Sequence, residues 1–392
     1  MARDTRVKMG VPTSDRSAPR LLLLGTYDLG KPRTRLLRQC LRAIDPDLRE
    51  LHFGVWQGVE DKSVLRGIGP RLAVGIKLLL AYPVLALRYL FVGRHDVVVV
   101  GYMGLFDMLL LAPMARLRGK VVVWDAFLSI YDTYARDRGM GAEQGMSARL
   151  LHWMERTACR VASRVVLDTR AHAALMGDLH GVPPGKLDAV LVGAEEGVFA
   201  PPPAAPRAAD SPVEVLFYGQ FIPLHGIDTI IDAALDPRGR AFRWTVVGQG
   251  QEAVRIDARL AAADAPHVHR IAWVDYARLG EEMAQADICL GIFGTSDKAA
   301  RVIPNKVYQA LVVGKPLVTR DSPAMRELAQ DDAPGLYLVP PADPAALLAA
   351  LERFAGERAA LPAELHGQLQ RAFAFPALVE QWRGVIARAM AA

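Results

Sequence analysis

Cysteine is scarce. The three residues Cys40, Cys159 and Cys289 lie far apart in the 392-residue chain and follow no metal-ligand spacing. That excludes a disulfide framework and a zinc site, and it suits small core residues in a reducing compartment. An uninterrupted apolar run of bilayer length is also missing. In the most apolar stretch, 66–92, Lys77 and Arg88 intervene, Pro83 should kink a helix, and the uncharged run 78–87 is about half of a span. No apolar core of signal-peptide length precedes Gly25, so residues 1–20 read as a loose basic tail and a cytoplasmic chain is expected. No Asp-x-Asp-like pair follows a strand, so no metal is expected. No nucleic-acid module signature is present, and nucleic acid is set aside as a partner.

What is present is length and aliphatic content. At 392 residues, 52% of them hydrophobic, the chain is globular and too long for one ordinary core, so two domains are expected. Its net charge of +5 is unevenly distributed. Residues 1–200 hold 28 basic against 20 acidic side chains, and the remainder 19 against 22. Between 62 and 120 stand nine basic residues and only two acidic ones, Asp96 and Asp107, interleaved with aliphatics. An anionic membrane is the partner such a face fits best. Two readings fit 66–92: a helix buried against a sheet with Lys77 and Arg88 snorkelling out, or a helix lying in the membrane interface.

Two stretches of the second half carry a ligand-site pattern. Residues 213–218 (VEVLFY) read as a strand, followed by Gly219-Gln220-Phe221-Ile222-Pro223-Leu224-His225-Gly226 and a helix over 227–235. A glycine directly after a buried strand lets backbone approach a ligand closely, and Gly226 serves the turn into the helix. About eighty residues on, Pro304 reads as the entry to a helix over 305–313, which Gly314 stops. Arg301 and Lys306 sit at or just before its first turn. There the free N–H groups and the macrodipole favour a phosphate.

The first half has its own candidates. The strand 21–24 runs into a loop with Gly25, Asp28, Lys31 and Arg33, a natural ligand rim at the C-terminal end of an α/β strand. A second strand, 120–124, ends at Asp125, the best-placed carboxylate to take a proton from an acceptor hydroxyl. Asp132 comes second, as a carboxylate or as a helix N-cap. Single helices are expected over 105–118 and 276–286. The proline-rich residues 201–212 form the linker between a first domain, 21–200, and a second, 213–370, with 371–392 a last helix. Alternating strands and helices predict parallel sheets covered on both faces.

Together these stretches resemble the GT4-like glycosyltransferases (glycosyl transferases group 1) of the GT-B fold, two Rossmann-like domains facing each other across a cleft. The resemblance implies that the loop Gly219, Gln220, His225 and Gly226 covers a donor diphosphate, and that Pro304, Asn305, Lys306 and Gln309 receive nucleotide and sugar. It also aligns Gly248 with a glycine turn of that family and places Trp273 and Val274 against the base. The last helix is expected to return toward the first domain. Three positions depart from the family pattern. Arg301 and Gln309 stand where two glutamates are usual, and His225 replaces a lysine. The implied activity is metal-independent transfer of a sugar from a UDP- or GDP-linked donor, with no separate cofactor. The acceptor is a hydroxyl on a lipid-linked or glycan precursor at the cytoplasmic membrane face. Lys306, Arg301 and Asp125 are the candidate catalytic residues; Gly25, Asp28, Lys31, Arg33 and Asp132 face the acceptor. A sugar-nucleotide epimerase of the same architecture and a non-catalytic partner subunit are the alternatives.

Overall fold

Aliphatic runs without polar alternation become strands buried on both faces, as parallel sheets require. The computed structural model of the chain describes residues 18–56, 68–137, 145–195, 197–199, 211–330 and 333–392. Most of the basic tail (1–17), most of the linker (200–210), Lys62, Arg66 and Glu196 lie outside the described residues.

The first unit runs β1 (Leu21–Gly25), α1 (Pro32–Ile44), β2 (Arg49–His52), α2 (Ile68–Leu90), β3 (Val97–Val100), α3 (Leu105–Leu110), α4 (Ala112–Leu117), β4 (Val121–Phe127), α5 (Met146–Val161), β5 (Arg164–Leu167), α6 (Arg170–His180) and β6 (Leu187–Ala189). Its six strands pair in parallel in the order β2-β1-β3-β4-β5-β6.

The second unit runs β7 (Glu214–Tyr218), α7 (Ile227–Leu235), β8 (Arg243–Val247), α8 (Ala253–Ala262), β9 (Val268–Ile271), α9 (Leu279–Gln285), β10 (Ile288–Leu290), α10 (Asp297–Arg301), α11 (Asn305–Val313), β11 (Leu317–Arg320), α12 (Pro323–Leu328), β12 (Leu336–Val339), α13 (Pro344–Glu357), α14 (Gly367–Phe373) and α15 (Phe375–Ala391). Its strands form a second parallel sheet, β12-β11-β10-β7-β8-β9.

Three large apolar clusters account for most of the core among the described residues. One lies wholly in the first unit, with Leu85 and Tyr89 of α2 against Leu105 and Met108 of α3 and Ala158 of α5. Another lies in the second unit around Phe217, Trp244 and Phe293. The third joins the units, bringing Leu37 and Leu41 of α1 together with Tyr308 of α11 and Trp382 of α15. The last helix packs against α1 and β4, and Arg388 pairs with Asp188 at 2.7 Å.

Four elements differ from the sequence reading. β4 continues through Asp125 to Phe127, so Asp125 is a strand residue and not a loop residue at a strand end. The helix expected over 105–118 is two helices, because Pro113 lacks the N–H an interior position needs and opens α4 instead. The segment after Asp275 begins as a single 3₁₀ turn, Tyr276–Arg278, before α9. Helix α2 runs unbroken through Pro83, and by length and composition Leu72–Leu90 suffices to cross a membrane, which the ten-residue uncharged run does not suggest.

Candidate functional site

The loop after β7 is shaped by what it must avoid. Gly219 adopts φ 147°, a conformation open to glycine, and a Cβ there would lie 2.7 Å from Lys306 Nζ and 3.0 Å from the His225 ring. Gly219, His225 and Lys306 therefore meet at one point, although Lys306 lies eighty-odd residues further along the sequence. Gly248, after β8, abuts the carbonyl of Gly219 from the other side. Gly226, left-handed at φ 63°, opens α7.

Lys306 lies in the first turn of α11, whose entry Pro304 sets with extended dihedrals and whose end Gly314 sets with φ 72°. Asn305 beside it is half-buried. The Lys306 side chain is only 5% exposed. Its Nζ stands 4.0 Å from the centre of the Phe217 ring and has no hydrogen-bond partner among the described residues. Burial without a counter-charge pushes its pKa well below the ordinary lysine value. His225 is pushed well below its ordinary value too, first by burial and then by Lys306. Its Nδ1 faces the carbonyl of Gln220, which as an acceptor fixes the proton on that nitrogen. The loop thus presents a neutral imidazole and a nearly bare amine, both aimed at the glycine.

Gln309 lies one turn further along α11. It is buried; its Oε1 accepts from Tyr218 Oη at 2.8 Å and its Nε2 donates to Tyr276 Oη at 3.3 Å. Tyr276 in turn donates to Glu195 Oε2 at 3.1 Å, and Arg35 of α1 clamps Glu195 with bonds of 2.6 and 2.5 Å. Burial, then Glu195, pushes the Tyr276 hydroxyl up to about 12, so it stays a donor. This chain fixes the orientation of the Gln309 amide and ties it to the first unit. Half the hydrogen-bonding capacity of that amide, one N–H and one lone pair, is left for a ligand hydroxyl.

Arg301 closes α10, a helix separate from α11. Its guanidinium reaches Asp297 at 3.2 Å, and its carbonyl accepts from Thr169 Oγ1 of the first unit at 2.5 Å. Beside it Lys298 Nζ donates to Thr133 at 3.0 Å, and Glu327 accepts from the N–H groups of Arg170 and Ala171 at 2.8 and 2.7 Å. These bonds join the two units along one edge. Trp273 is 61% exposed and Val274 half-buried, both beyond β9.

On the first unit, the structure corrects the role given to Asp125. Its carboxylate is fully buried, and Arg33, 3% exposed, donates to both oxygens at 2.7–3.2 Å. Arg33 also donates to the carbonyls of Val190 and Leu191 and stacks near Trp382, 5.4 Å from its ring centre. Burial raises the Asp125 pKa and Arg33 opposes the rise. A carboxylate so enclosed holds chain segments together and is not placed to take a proton from an acceptor; Arg33, expected at the acceptor rim, is its buried partner.

Asp28 is buried and turns the loop, accepting from Gly30 N–H at 2.9 Å; Lys31 caps α1 with extended dihedrals. Asp132 is buried, its N–H held by Ser129 at 3.0 Å. Gly25 takes φ 128° because the carboxylate of Asp107 occupies the space of a Cβ. Asp107, which the sequence does not single out, accepts from Thr26 N–H at 2.8 Å under this loop, and burial pushes its carboxyl up to about 7. Tyr218, Tyr276 and Asp107 carry no motif, and contact alone identifies them. Among the described residues no group of three His, Cys, Asp or Glu side chains is placed to hold a metal ion.

Comparison with known proteins follows this geometry. Residues 212–357 match the family described as Glycosyl transferases group 1. No curated protein matches the chain. Among solved structures, sucrose-phosphate synthase from Thermosynechococcus elongatus superposes with a TM-score of 0.68 at 16% identity, covering 95% of this chain and 99% of that one. HepE from Anabaena in complex with UDP gives 0.65 at 13% identity, over 94% and 99%. The apo lipopolysaccharide outer core galactosyltransferase WaaB gives 0.61 at 13%, over 94% and 99%.

Proposed function

From a chain of GT-B fold whose residues 212–357 match the glycosyl transferases group 1 family, we propose a glycosyltransferase that moves a sugar from a nucleoside diphosphate sugar to a hydroxyl. The observation that carries this reading is Lys306: a buried cation with no partner among the described residues is costly, and an arriving diphosphate offsets that cost. In the transfer, the bond between the anomeric carbon and the β-phosphate oxygen breaks and the nucleoside diphosphate leaves with the electron pair. The acceptor oxygen bonds to the same carbon, and its proton passes to the departing phosphate or to solvent. Charge grows on the departing phosphate, where Lys306 and the N–H groups that open α11 can stabilise it.

The donor is UDP- or GDP-linked. HepE and its complexes with UDP and UDP-glucose support UDP as the first candidate. Because the positive charge comes from Lys306 and a helix terminus, the reaction runs without a metal. The acceptor is a hydroxyl on a lipid-linked or glycan precursor, met at the cytoplasmic face of a membrane, and the basic first unit supports that placement. Gln309 holds the ribose hydroxyls, and Trp273 and Val274 the base.

The test is release of nucleoside diphosphate from a panel of UDP-, GDP- and dTDP-linked sugars, with CMP release from CMP-linked sugars as a control, with and without chelator. Acceptor-dependent release from one donor, abolished by Lys306→Ala or Gly219→Val in folded protein, is the expected result. Unchanged turnover in both variants, or an altered sugar nucleotide without transfer, overturns the reading.

A further inference from the structure

Helix α2 is apolar on the face it buries and on the face it does not. Ala81, Leu85 and Tyr89 are fully buried against the sheet. The opposite side carries Leu72, Ile76, Leu79, Leu80, Leu87 and, just past the helix end, Phe91, exposed by 50–82%. A helix that is hydrophobic all round belongs inside a protein or against lipid, yet only 17% of the Leu72–Leu90 window is buried. The apolar surface does not stop at α2. Helix α3, which shares the buried cluster beneath α2, exposes Phe106 and Leu110, and α5, packed beside α3, exposes Leu150 and Trp153.

The exposed charges on this layer are positive with a single exception. Lys77, Arg88, Arg94, Arg149, Arg156 and Arg160 are exposed. Of the acidic residues at positions 72–120 and 145–161, Asp107 and Glu155 are fully buried, Glu155 under Ser129 and His180, and Asp96 alone is exposed. The basic excess legible in the sequence is therefore sharpened at the surface, because folding hides two of the three carboxylates.

We infer that the exposed faces of α2, α3 and α5 form one surface that lies on an anionic lipid bilayer, leucines and Trp153 in the acyl boundary and the arginines at the phosphates. The helix lies in the plane and does not cross. Leu85 and Tyr89 anchor it to the sheet, and Arg118, which caps the C-terminus of α4, donates to the carbonyls of Tyr89 and Leu90 at the C-terminal end of α2 at 2.7 and 3.0 Å. A soluble protein of this size seldom leaves so continuous an apolar patch to water, and its basic rim selects anionic lipid over an uncharged apolar partner. This surface does not depend on the transfer reading, since the test below uses no sugar donor.

The full chain is floated with vesicles of phosphatidylcholine alone and with about one-third phosphatidylglycerol. Expected are binding to the anionic vesicles about tenfold stronger than to the neutral ones, release at high salt, and quenching of tryptophan fluorescence by brominated lipid that Trp153→Phe removes. Leu79→Glu with Leu87→Glu, both on the exposed face and checked for an unchanged melting transition, should abolish binding; Lys77→Glu with Arg88→Glu should remove its salt dependence. Several results overturn the inference. These are no vesicle binding, equal binding by the leucine variant, quenching that persists without Trp153, or attachment to neutral vesicles that survives salt and alkali, which marks a spanning helix. A dimer in solution that the leucine variant dissociates, with no vesicle binding, assigns the face to a second copy and overturns it equally.

Discussion

Arg33 and Lys306 are both buried cations, one in each unit, and their surroundings are opposite. Arg33 has a carboxylate on two of its nitrogens, two backbone carbonyls on a third, and aromatic rings above it. Lys306 has an aromatic ring on one side, a glycine on the other, and no hydrogen-bond partner among the described residues. Burial costs both charges their hydration, but only Arg33 is compensated within the fold. Buried charge alone therefore does not mark a site. What marks it is a charge left uncompensated where backbone has been cleared for a ligand.

The contrast can be broken at either end. The largest effect on folding belongs to the paired cation. Asp125→Ala leaves Arg33 buried without its counter-charge and should lower unfolding free energy by about 3–5 kcal/mol, read by urea titration. If Asp125 were a catalytic base, the variant would keep its stability and lose turnover alone. At the other end, Lys306→Ala should leave the melting transition where it is or raise it, while nucleoside diphosphate release falls about 10²–10³-fold. A melting transition lowered as far as in the Asp125 variant would make the two cations equivalent and remove the distinction.

A second carboxyl sharpens the comparison through pH. Asp107 holds its proton up to about pH 7 in the fold, against about 4 in the unfolded chain. The folded state thus binds more protons between those values, and the stability Asp107 contributes is full below about pH 4 and declines as pH rises to about 7. Relative to Asp107→Asn, the parent should lose on the order of 2 kcal/mol across that window, less than the ~4 kcal/mol of the full shift because the site relaxes around the ionised group. Parallel stability curves for the two proteins would show that the carboxyl is not buried in solution. The smallest effect is expected at the relay between the units: Tyr276→Phe frees the Gln309 amide and should raise the donor KM about three- to tenfold, with kcat little changed.

Much of this was legible in the sequence. The two parallel sheets follow from aliphatic runs alternating with helical segments, and the glycine after β7 and the Pro304–Gly314 brackets of α11 mark their positions by type. The pairing of Arg33 with Asp125 is not legible, because it joins residues 92 apart with no local pattern, and each reads as a loop residue when taken alone. The Arg35–Glu195–Tyr276–Gln309 chain escapes for the same reason, spanning both units and the segment between them. The break before α4 was signalled by Pro113, whereas the exposure of α2 was not: hydropathy gives how apolar a helix is and not how much of it the fold covers.

Calorimetric titration of UDP into the parent and into Lys306→Met, in buffers of different ionisation enthalpy and over a series of pH values, bears most directly on the lone amine. Since burial holds Lys306 below its ordinary pKa, a bound diphosphate must raise it, so somewhere in that series the parent should take up more protons on binding than the variant, which binds at least about tenfold more weakly at every pH. Equal affinity and equal proton uptake in the two proteins would contradict the account.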